Sequence, residues 1–429
     1  MAGRNPRPPT PPGDIATLQI DRVGEQGDGV APGPVYVPLT LPGEVVRARV
    51  GHDRGDLVEI VAASAERVAP PCRHFGACGG CALQHWSHQP YLDWKCGRIA
   101  DALAREGIAT QITAPFAALP GTRRRLTLHA RRQDHRPILG LKARRSWGVV
   151  NIETCVIAQL VLISALSALK DLAEPLLEHA KSAPALHVTA SDTGLDIDIS
   201  GVERRGGGLS ASGRGRVAEA AARADFARVT VAGEILYQAR QPRIVVGGVG
   251  VDLPAGAFLQ ATQTAEVAMA AFIGEATADA RSIADLYCGV GAFTFPLAAQ
   301  ARMVAIDASA PAVSALAAAP GGKPGLKAIT AQVRDLDRRP LLARELTGFD
   351  AVIFDPPRAG AAAQCGQLAL SNVATVVGVS CNPSTFARDA GILAAGGYVL
   401  TRVLPVDQFL WSPHIELVGI FSRRGEDHG

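Results

Sequence analysis

The feature that most constrains the fold is the stretch from residue 263 onward, where short apolar strands alternate with helical segments. Strand–helix alternation is typical of a parallel, doubly wound sheet, which binds ligands at the carboxyl ends of its strands. The polar motifs of this stretch follow predicted strands, so we predict an α/β fold with a ligand site at that edge. The predicted strands are Ser282–Asp285, Met303–Asp307, Ala351–Asp355 and Val373–Ser380, and the predicted helices cover residues 264–274, 313–318 and 385–395.

The chain before residue 263 shows different patterns. Residues 15–61 alternate apolar and polar positions between glycines, which predicts a small β-barrel. Residues 65–85 contain three cysteines and little periodicity, as expected of a loop, and a helix is predicted over residues 91–107. Residues 123–258 have mostly strand patterns, with a hairpin around Asp192-Thr-Gly194 and a flexible glycine-rich loop over residues 206–215.

Length and composition narrow the class of protein. At 429 residues the chain is long enough for two or three domains, and its net charge of +3 is not that of a polycation. The first 14 residues are rich in proline and arginine, which predicts a disordered tail and no signal peptide. Since no apolar run reaches the length of a membrane helix, we expect a soluble, cytoplasmic protein whose eight cysteines serve a purpose other than disulfides.

A basic cluster lies between Arg123 and Arg145, where nine Lys or Arg residues accompany one acid, Asp134. Such a cluster predicts a phosphate-binding surface, because clustered cations release counterions from a nucleic acid. The alternative interpretation is a solvated face of a strand.

The motif Asp285-Leu-Tyr-Cys-Gly-Val-Gly291 predicts a cofactor loop, because glycines allow a tight turn and a close approach of the backbone to a ligand. Asp307 ends the next strand 22 residues later, where a carboxylate can accept hydrogen bonds from ribose hydroxyls. This pattern indicates S-adenosylmethionine (SAM) or a dinucleotide. The lack of the G-x-G-x-x-G order and the later Asp355-Pro-Pro-Arg358 favour SAM, and the alternative for the two glycines is a bare turn.

Cys381 lies in Ser-Cys-Asn-Pro, between a predicted strand and a predicted helix. A helix N-terminus lowers the pKa of a thiol, so we predict a nucleophilic thiolate there; the alternative is a buried structural cysteine. A thiolate that adds to C6 of uracil makes C5 nucleophilic toward the methyl group of SAM, and a base must then remove the C5 proton. Glu416 is the predicted base, because its aliphatic neighbours raise the pKa of a carboxyl group. The alternative base is His414. The alternative role for Glu416 is that of an edge glutamate with satisfied hydrogen bonds.

The spacing Cys72-x5-Cys78-x2-Cys81 is that of a metal-binding loop, in which the short Cys-Gly-Gly-Cys turn directs two thiolates at one centre. A fourth thiolate has to come from elsewhere in the chain, and Cys155 and Cys96 are the candidates. Zinc and an iron–sulfur cluster are both compatible with four thiolates.

Taken together, these motifs resemble the bacterial RNA (uracil-5-)-methyltransferases, and within them most closely the enzymes that methylate 23S ribosomal RNA. The likeness covers nearly all of the chain after the tail, and it is carried by the Asp-Pro-Pro-Arg, Ser-Cys-Asn-Pro and His-Ile-Glu motifs at their spacings. The resemblance implies Cys381 as nucleophile and Glu416 as the C5 base. It implies a [4Fe-4S] cluster, rather than zinc, on Cys72, Cys78, Cys81 and Cys155. It places SAM against Gln260, Tyr287, Gly289, Gly291, Asp307, Asp335 and Asp355. The sequence departs from the family at Ala292 and Thr262, where asparagine is usual.

The resemblance also implies a domain organisation and a substrate. We expect a tail over residues 1–13, a TRAM-like (OB-like) barrel over residues 14–64, a central β-rich iron–sulfur domain that binds RNA over residues 65–255, and a Rossmann-like SAM-dependent methyltransferase domain over residues 256–429. The helix at about residues 88–112 is expected to pack on the catalytic domain. The expected product is 5-methyluridine in 23S rRNA, made by a monomer without a membrane partner. The alternatives are another rRNA site, tRNA, cytosine-C5 or amino-group methylation, and a non-enzymatic RNA-binding iron–sulfur protein.

Overall fold

We describe residues 13–134, 136–179, 182–202, 208–319 and 324–423 of a computed structural model. The predicted tail, except residue 13, and the start of the predicted glycine-rich loop lie outside the described residues. Within these ranges, no helix is long and apolar enough to cross a membrane.

The first described segment forms a six-stranded sheet with the strand order β1-β5-β6-β4-β3-β2. Its strands are β1 (Ile15–Gln19), β2 (Arg22–Val23), β3 (Gly29–Ala31), β4 (Val35–Val37), β5 (Val45–Gly51) and β6 (Arg54–Ala62). The alternation of the sequence is visible in β5, where Val46 and Ala48 are buried and the residues between and after them are exposed. One face of the sheet therefore covers a small apolar core that also includes Ile20 and Val37.

The cysteine loop, residues 63–87, contains no helix or extended strand and leads into α1 (His88–Arg105). Tyr91, Leu92, Ile99 and Leu103 recur at helical spacing in α1 and are buried. This helix packs against α9 (Pro383–Ala395), near the end of the chain. The short strands β7 (Gln111–Ile112) and β8 (Phe116–Ala117) follow α1 and pair with β23 (Tyr398–Asp407). The segment after the cysteine loop is thus built into the C-terminal sheet.

A second sheet of seven strands has the order β11-β10-β9-β12-β13-β14-β15. Its strands are β9 (Arg125–Gln133), β10 (Arg136–Lys142), β11 (Val149–Asn151), β12 (Ala185–Ser191), β13 (Gly194–Ser200), β14 (Arg228–Val231) and β15 (Glu234–Gln238). The helices α2 (Leu160–Ser164), α3 (Leu166–Ala173) and α4 (Ala211–Arg223) belong to the same region. The predicted hairpin is confirmed, with β12 and β13 antiparallel on either side of residues 192–193.

The prediction of a flexible loop over residues 206–215 is wrong for its second half, because α4 begins at Ala211. Ser210 caps this helix by accepting a hydrogen bond from the backbone N–H of Gly213 at 2.9 Å. Gly213 also lies against the carboxylate of Glu178, where a Cβ would come within 2.4 Å of Oε1. The glycine therefore permits close packing rather than flexibility.

The third large sheet has nine strands, ordered β20-β19-β18-β21-β22-β24-β23-β7 with β8 also beside β23. Its remaining strands are β18 (Ser282–Leu286), β19 (Arg302–Asp307), β20 (Ile329–Val333), β21 (Ala351–Phe354), β22 (Thr375–Ser380) and β24 (Glu416–Arg423), and its helices are α5 (Gln263–Ala276), α6 (Thr294–Leu297), α7 (Ala310–Ala318), α8 (Ala362–Ala369) and α9. A hairpin of β16 (Arg243–Val246) and β17 (Val249–Asp252) precedes this region.

The predicted strand–helix alternation is confirmed, but the sheet is mixed rather than wholly parallel. The five strands from β20 to β22 are parallel, whereas β24 runs antiparallel to both β22 and β23. In β21, Val352 and Phe354 join one apolar cluster while Ile353 joins another, so both faces of the sheet are covered. The antiparallel β24 begins at the edge where β22 ends, and this reversal brings Glu416 to the carboxyl ends of the parallel strands.

Candidate active site

Cys381 and Glu416 lie next to each other at the predicted edge. Ser380 ends β22 and pairs with Leu417 of the antiparallel β24, so Cys381 and Glu416 are the next residues of the two segments, close enough for the charge of Glu416 to raise the pKa of Cys381. Asn382 then caps α9, with its side-chain oxygen accepting from the backbone N–H of Ser384 at 3.1 Å.

A chain of side-chain amides connects Glu416 with Asp355. Gln408 Nε2 donates to Glu416 Oε2 at 2.8 Å and to Gln260 Oε1 at 2.7 Å. Gln260 Nε2 in turn donates to Asp355 Oδ2 at 2.9 Å. The expected cofactor contacts Gln260 and Asp355 are therefore brought together with the predicted base. Gln408 was not predicted, because an amide between two motifs has no recognisable spacing.

The environment of Glu416 favours its protonated form. Only 4% of the residue is exposed. Burial, together with repulsion from Asp355, raises the pKa of Glu416 to about 8, against the opposing effects of the Gln408 hydrogen bond and the Arg358 guanidinium. The alternative base, His414, is classed as exposed as a whole residue. Desolvation of its ring, together with repulsion from nearby cations such as Arg358, lowers its pKa to about 4.

The predicted low pKa of the Cys381 thiol is not what the site produces. Burial and the negative charge of Glu416 raise the pKa of Cys381, and Arg358 is the group that lowers it. Cys381 also precedes the capping residue of α9 and lies outside the first turn, where the helix dipole acts most strongly. Arg358 lies in the Asp-Pro-Pro-Arg loop. Its backbone carbonyl accepts a hydrogen bond from Asn382 Nδ2 at 3.3 Å, which connects this loop to the Cys381 turn.

The cofactor loop follows β18 and is held by Asp307. Asp307 Oδ2 accepts from the backbone N–H of Gly289 at 3.0 Å, and its Oδ1 accepts from that of Ser309 at 2.7 Å. Tyr287 has a φ of +61°, and Gly289 has a φ of +53° and open space where a Cβ would stand. Gly291 has a φ of +98° and a second reason to be glycine, because its Cβ would lie 2.6 Å from the ring of Phe295.

Asp285, buried beneath this loop, has an unused acceptor. Its Oδ2 accepts from Thr294 Oγ1 at 2.5 Å, whereas its Oδ1 is buried without a hydrogen-bond partner. Burial raises the pKa of Asp285 to about 7, and burial with repulsion from Asp285 also raises the pKa of Asp355. A buried carboxylate with a free oxygen fits a cationic group, and SAM carries an ammonium and a sulfonium. The residues present therefore fit this cofactor.

Two further sequence positions have local structural roles. Asp335 Oδ1 accepts from the backbone N–H groups of Asp337 and Arg338, at 3.1 and 3.2 Å, so it stabilises a turn. The carboxylate that contacts Tyr287 is Asp337, whose Oδ1 accepts from the phenol at 3.0 Å. Thr262 caps α5 by accepting from the backbone N–H of Ala265 at 3.2 Å, which an asparagine would also do.

The four cysteines of the expected cluster line one cavity, whose walls include Cys72, Cys78, Cys81 and Cys155. Cys96 does not line it. Burial, together with the charges of the neighbouring thiols, raises the pKa of Cys81 to about 12. In the described part of the chain, no group of three or more His, Cys, Asp or Glu side chains has an arrangement that could hold a single metal ion.

Comparison with known proteins identifies the family. A family model described as tRNA (Uracil-5-)-methyltransferase matches residues 326–424. The chain is 57% identical over 412 residues to an uncharacterised RNA methyltransferase of Caulobacter vibrioides, with 95% of this chain and 99% of that protein covered. It is 32% identical over 431 residues to a 23S rRNA (uracil(1939)-C(5))-methyltransferase of Halomonas elongata, with 93% and 88% covered. The chain belongs to the RNA (uracil-5-)-methyltransferase family.

The fold of this methyltransferase also occurs in a solved structure. The Pyrococcus abyssi tRNA (uracil-54, C5)-methyltransferase, in complex with S-adenosyl-L-homocysteine, superposes with a TM-score of 0.74 at 23% identity. The superposition covers 94% of this chain and 99% of that one. The enzyme described here is thus a SAM-dependent RNA (uracil-5-)-methyltransferase, and its substrate is an RNA.

The basic cluster of the methyltransferase has a largely structural function. Arg124 is 4% exposed and donates to Glu266 at 2.5 Å, while Arg125 donates to the carbonyl of Leu259 at 2.6 Å. Arg144 and Arg145 both donate to the buried carboxylate of Asp28, which joins this region to the N-terminal sheet. Several of the nine cations therefore have hydrogen-bond partners within the fold.

The remaining polar surface of this segment lines an open cavity beside the candidate active site. Lys142 lies over the ring of Trp147, at 4.4 Å from its centroid. His129 and His414 line the same cavity, which also borders the cysteine loop. Lys142, Arg144 and Arg145 all line this cavity, and phosphate binding there stays a prediction.

Proposed function

We propose that this methyltransferase converts a uridine of 23S rRNA to 5-methyluridine, with Cys381 as nucleophile and Glu416 as the C5 base. The observation that carries the proposal is the position of Cys381 opposite Glu416, at the same edge as the cofactor loop. The 32% identity to a 23S rRNA (uracil(1939)-C(5))-methyltransferase supports the choice of substrate.

The proposed reaction uses each group once. The Sγ electron pair of the Cys381 thiolate forms a bond to C6 of uracil, and the C5=C6 electrons move toward the C4 carbonyl, so that C5 becomes nucleophilic. C5 takes the methyl group of SAM, and the sulfur of SAM keeps the electron pair of the broken bond. Glu416 then removes the C5 proton, the C5–H electrons restore the double bond, and Sγ leaves as a thiolate.

SAM is proposed to bind in the loop after β18 and against the amide chain, with the contacts expected from the resemblance: Gln260, Tyr287, Gly289, Gly291, Asp307, Asp335 and Asp355. The unpaired Oδ1 of Asp285 supports adding this residue to the set. The target base has to leave its stack to reach a thiol that is partly buried, so we expect base flipping.

We further propose that Cys72, Cys78, Cys81 and Cys155 hold a [4Fe-4S] cluster. Their common cavity and the thiol chemistry of the donor set support it. The raised pKa of the Cys81 thiol means that binding the metal releases protons, so the affinity should increase with pH. Anaerobically purified protein should be brown and contain about four irons per chain. Stoichiometric zinc without iron would overturn the assignment.

The proposed domain organisation is a TRAM-like barrel over residues 14–64, a central iron–sulfur and RNA-binding domain over residues 65–255, and a catalytic domain over residues 256–429. The protein is proposed to be a monomer. It is supported by the three large sheets, which fall within these ranges apart from the two short strands that pair with β23.

The test is methyl transfer from labelled SAM to unmodified 23S rRNA and, separately, to bulk tRNA, followed by nuclease mapping. A single labelled 5-methyluridine in 23S rRNA is the expected result. The tRNA arm is needed because the matching family model is described as a tRNA (Uracil-5-)-methyltransferase. Label only in tRNA would keep the chemistry and replace the substrate.

A further inference from the structure

Gln408 is a buried amide whose polar atoms all have partners. The residue is 2% exposed. Its Oε1 accepts from the backbone N–H of Ala261 at 2.8 Å, and its Nε2 donates to both Gln260 and Glu416. A buried side chain with this many good contacts has little freedom to rotate.

The partners of Gln408 set the direction of each hydrogen bond in the series of side-chain amides that connects Glu416 with Asp355. The backbone N–H of Ala261 can only donate, so the atom of Gln408 that faces it must be the carbonyl oxygen. The NH₂ group then faces the other two partners, and Gln260 must present its own Oε1 to Gln408. The NH₂ group of Gln260 consequently points at Asp355, as the 2.9 Å contact shows.

This direction has a consequence for Glu416. Its Oε2 accepts from Gln408, which favours the proton on Oε1, and Oε1 has no recorded side-chain hydrogen bond among the described residues. We propose that Gln408 is the positioning residue of this enzyme's base: it holds the Glu416 carboxylate so that Oε1 receives the C5 proton, and it connects the base to Gln260 on the cofactor side. The proposal deepens the proposed function and rests on it.

The backbone on either side of Gln408 is held from outside the sheet. Asp407 accepts from Lys95 Nζ at 2.5 Å and from the Tyr91 hydroxyl at 2.6 Å, and both Lys95 and Asp407 are fully buried. Lys95 also donates to the carbonyl of Phe409 at 3.2 Å. Hydrogen bonds from α1 therefore fix both neighbours of Gln408 in the sequence, Asp407 and Phe409.

The test compares Gln408→Met with Gln364→Met. Methionine has a similar volume and no donor. Gln364 is a matched control because it is also a fully buried amide, with Oε1 accepting from Leu341 N at 2.8 Å and Nε2 donating to the Leu341 carbonyl at 3.1 Å, but it lies away from the site. Three readouts are measured at saturating SAM: covalent complex with 5-fluorouridine RNA, covalent complex with uridine RNA, and turnover as a function of pH.

The complex on 5-fluorouridine RNA does not require removal of a C5 proton, so Gln408→Met should still form it, which also shows that the variant is folded. On uridine RNA the variant should accumulate the methylated covalent complex, with turnover lower by about ten- to a hundredfold, as expected for losing a hydrogen bond to a charged group. That hydrogen bond lowers the pKa of Glu416, so its loss should move the rising limb of the pH profile to higher pH. The charges of Asp355 and Arg358 face the carboxyl in both variants and therefore do not explain a difference between them.

Gln408→Met with the turnover and pH profile of Gln364→Met would overturn the inference. Loss of the 5-fluorouridine complex in Gln408→Met alone would also overturn it, because the residue would then act on the nucleophile or the cofactor. If the wild-type enzyme itself forms no such complex, the proposed covalent mechanism fails instead, and the two failures are distinguishable.

Discussion

The edge of the nine-stranded sheet and the cysteine loop both gather functional side chains, but by different means. At the edge, Cys381 and Glu416 sit at strand ends, and the strand register places them. The cysteine loop has no helix or extended strand, and distant groups hold it: Gly79 N donates to the Lys142 carbonyl at 2.9 Å, and Leu83 N donates to the Trp411 carbonyl at 3.0 Å. Strand pairing places the reacting groups of the first site, whereas hydrogen bonds from separate segments hold the second.

This difference predicts that the base, but not the nucleophile, is coupled to the cysteine loop. Trp411 lies between Gln408 and Glu416 in the sequence, and the cysteine loop binds its carbonyl. A change that loosens the loop or α1 should therefore disturb the base. A change at the nucleophile should leave the loop unaffected, because Lys142 and Trp411, whose carbonyls accept hydrogen bonds from the loop, are distant from Cys381 in sequence and belong to other segments. The following variants test both halves of this statement.

Cys381→Ala should have the largest effect. We expect methyl transfer to fall by about 10⁴-fold or more, since no other group can form the bond to C6, and the complex with 5-fluorouridine RNA to disappear. Iron content should be unchanged. Cys365→Ala, a buried cysteine on α8, is the control and should keep the complex. A full yield of covalent complex from Cys381→Ala would remove the nucleophile assignment.

Glu416→Gln should lower turnover by about 10²- to 10⁴-fold and accumulate the methylated covalent complex on uridine RNA. In the wild-type enzyme, the base must be deprotonated and its pKa is raised to about 8, so turnover should increase with pH through that value. The measurement is turnover between pH 6 and pH 10 with denaturing gels of the RNA complex. The control is Glu345→Gln, an exposed carboxyl paired with Arg334. Normal turnover by Glu416→Gln would refute the role.

The sequence predicted the edge because each motif follows a strand directly, so strand order and polar residues were enough to bring Asp285, Asp355 and Cys381 together. The mixed order of the sheet escaped prediction because the antiparallel pairing of β24 with β22 has no local signal. The expectation of a low Cys381 pKa considered the helix alone, and the burial and the Glu416 charge that raise this pKa come from tertiary structure.

Residues that position others were not predictable from spacing. Gln408 contacts Gln260, which is 148 residues away, and Lys95 contacts Asp407, which is 312 residues away. The arginines after residue 123 looked alike in the sequence, yet Arg124 is buried against Glu266. Which charges remain free depends on which carboxylates the fold places beside them.

Lys95→Met tests the dependence of the edge on its support. Breaking a fully buried ion pair leaves Asp407 uncompensated and should destabilise the protein by about 3–5 kcal/mol, with a lower Tm. Turnover should fall more than SAM binding does, since Gln408 follows Asp407 directly. Lys95→Met combined with Asp407→Asn should recover part of the stability. Arg243→Met, which breaks an exposed pair with Asp252, should leave the Tm unchanged. Turnover that falls no more than SAM binding in Lys95→Met would show that the edge does not depend on α1.

Arg358→Gln should have the smallest effect and act only at the edge. Arg358 lowers the pKa of Cys381, so its removal should raise that pKa and reduce the thiolate fraction near neutral pH. Because the residue is exposed and water screens its charge, we expect only about a two- to tenfold slower formation of the covalent complex at pH 7. Arg344→Gln, another exposed arginine of the same region, should match the wild-type rate. The difference between Arg358→Gln and the wild type should vanish at a pH high enough to ionise the thiol in both. A deficit that stays constant with pH would instead make Arg358 a contact of the RNA, because phosphate binding does not depend on the ionisation of Cys381.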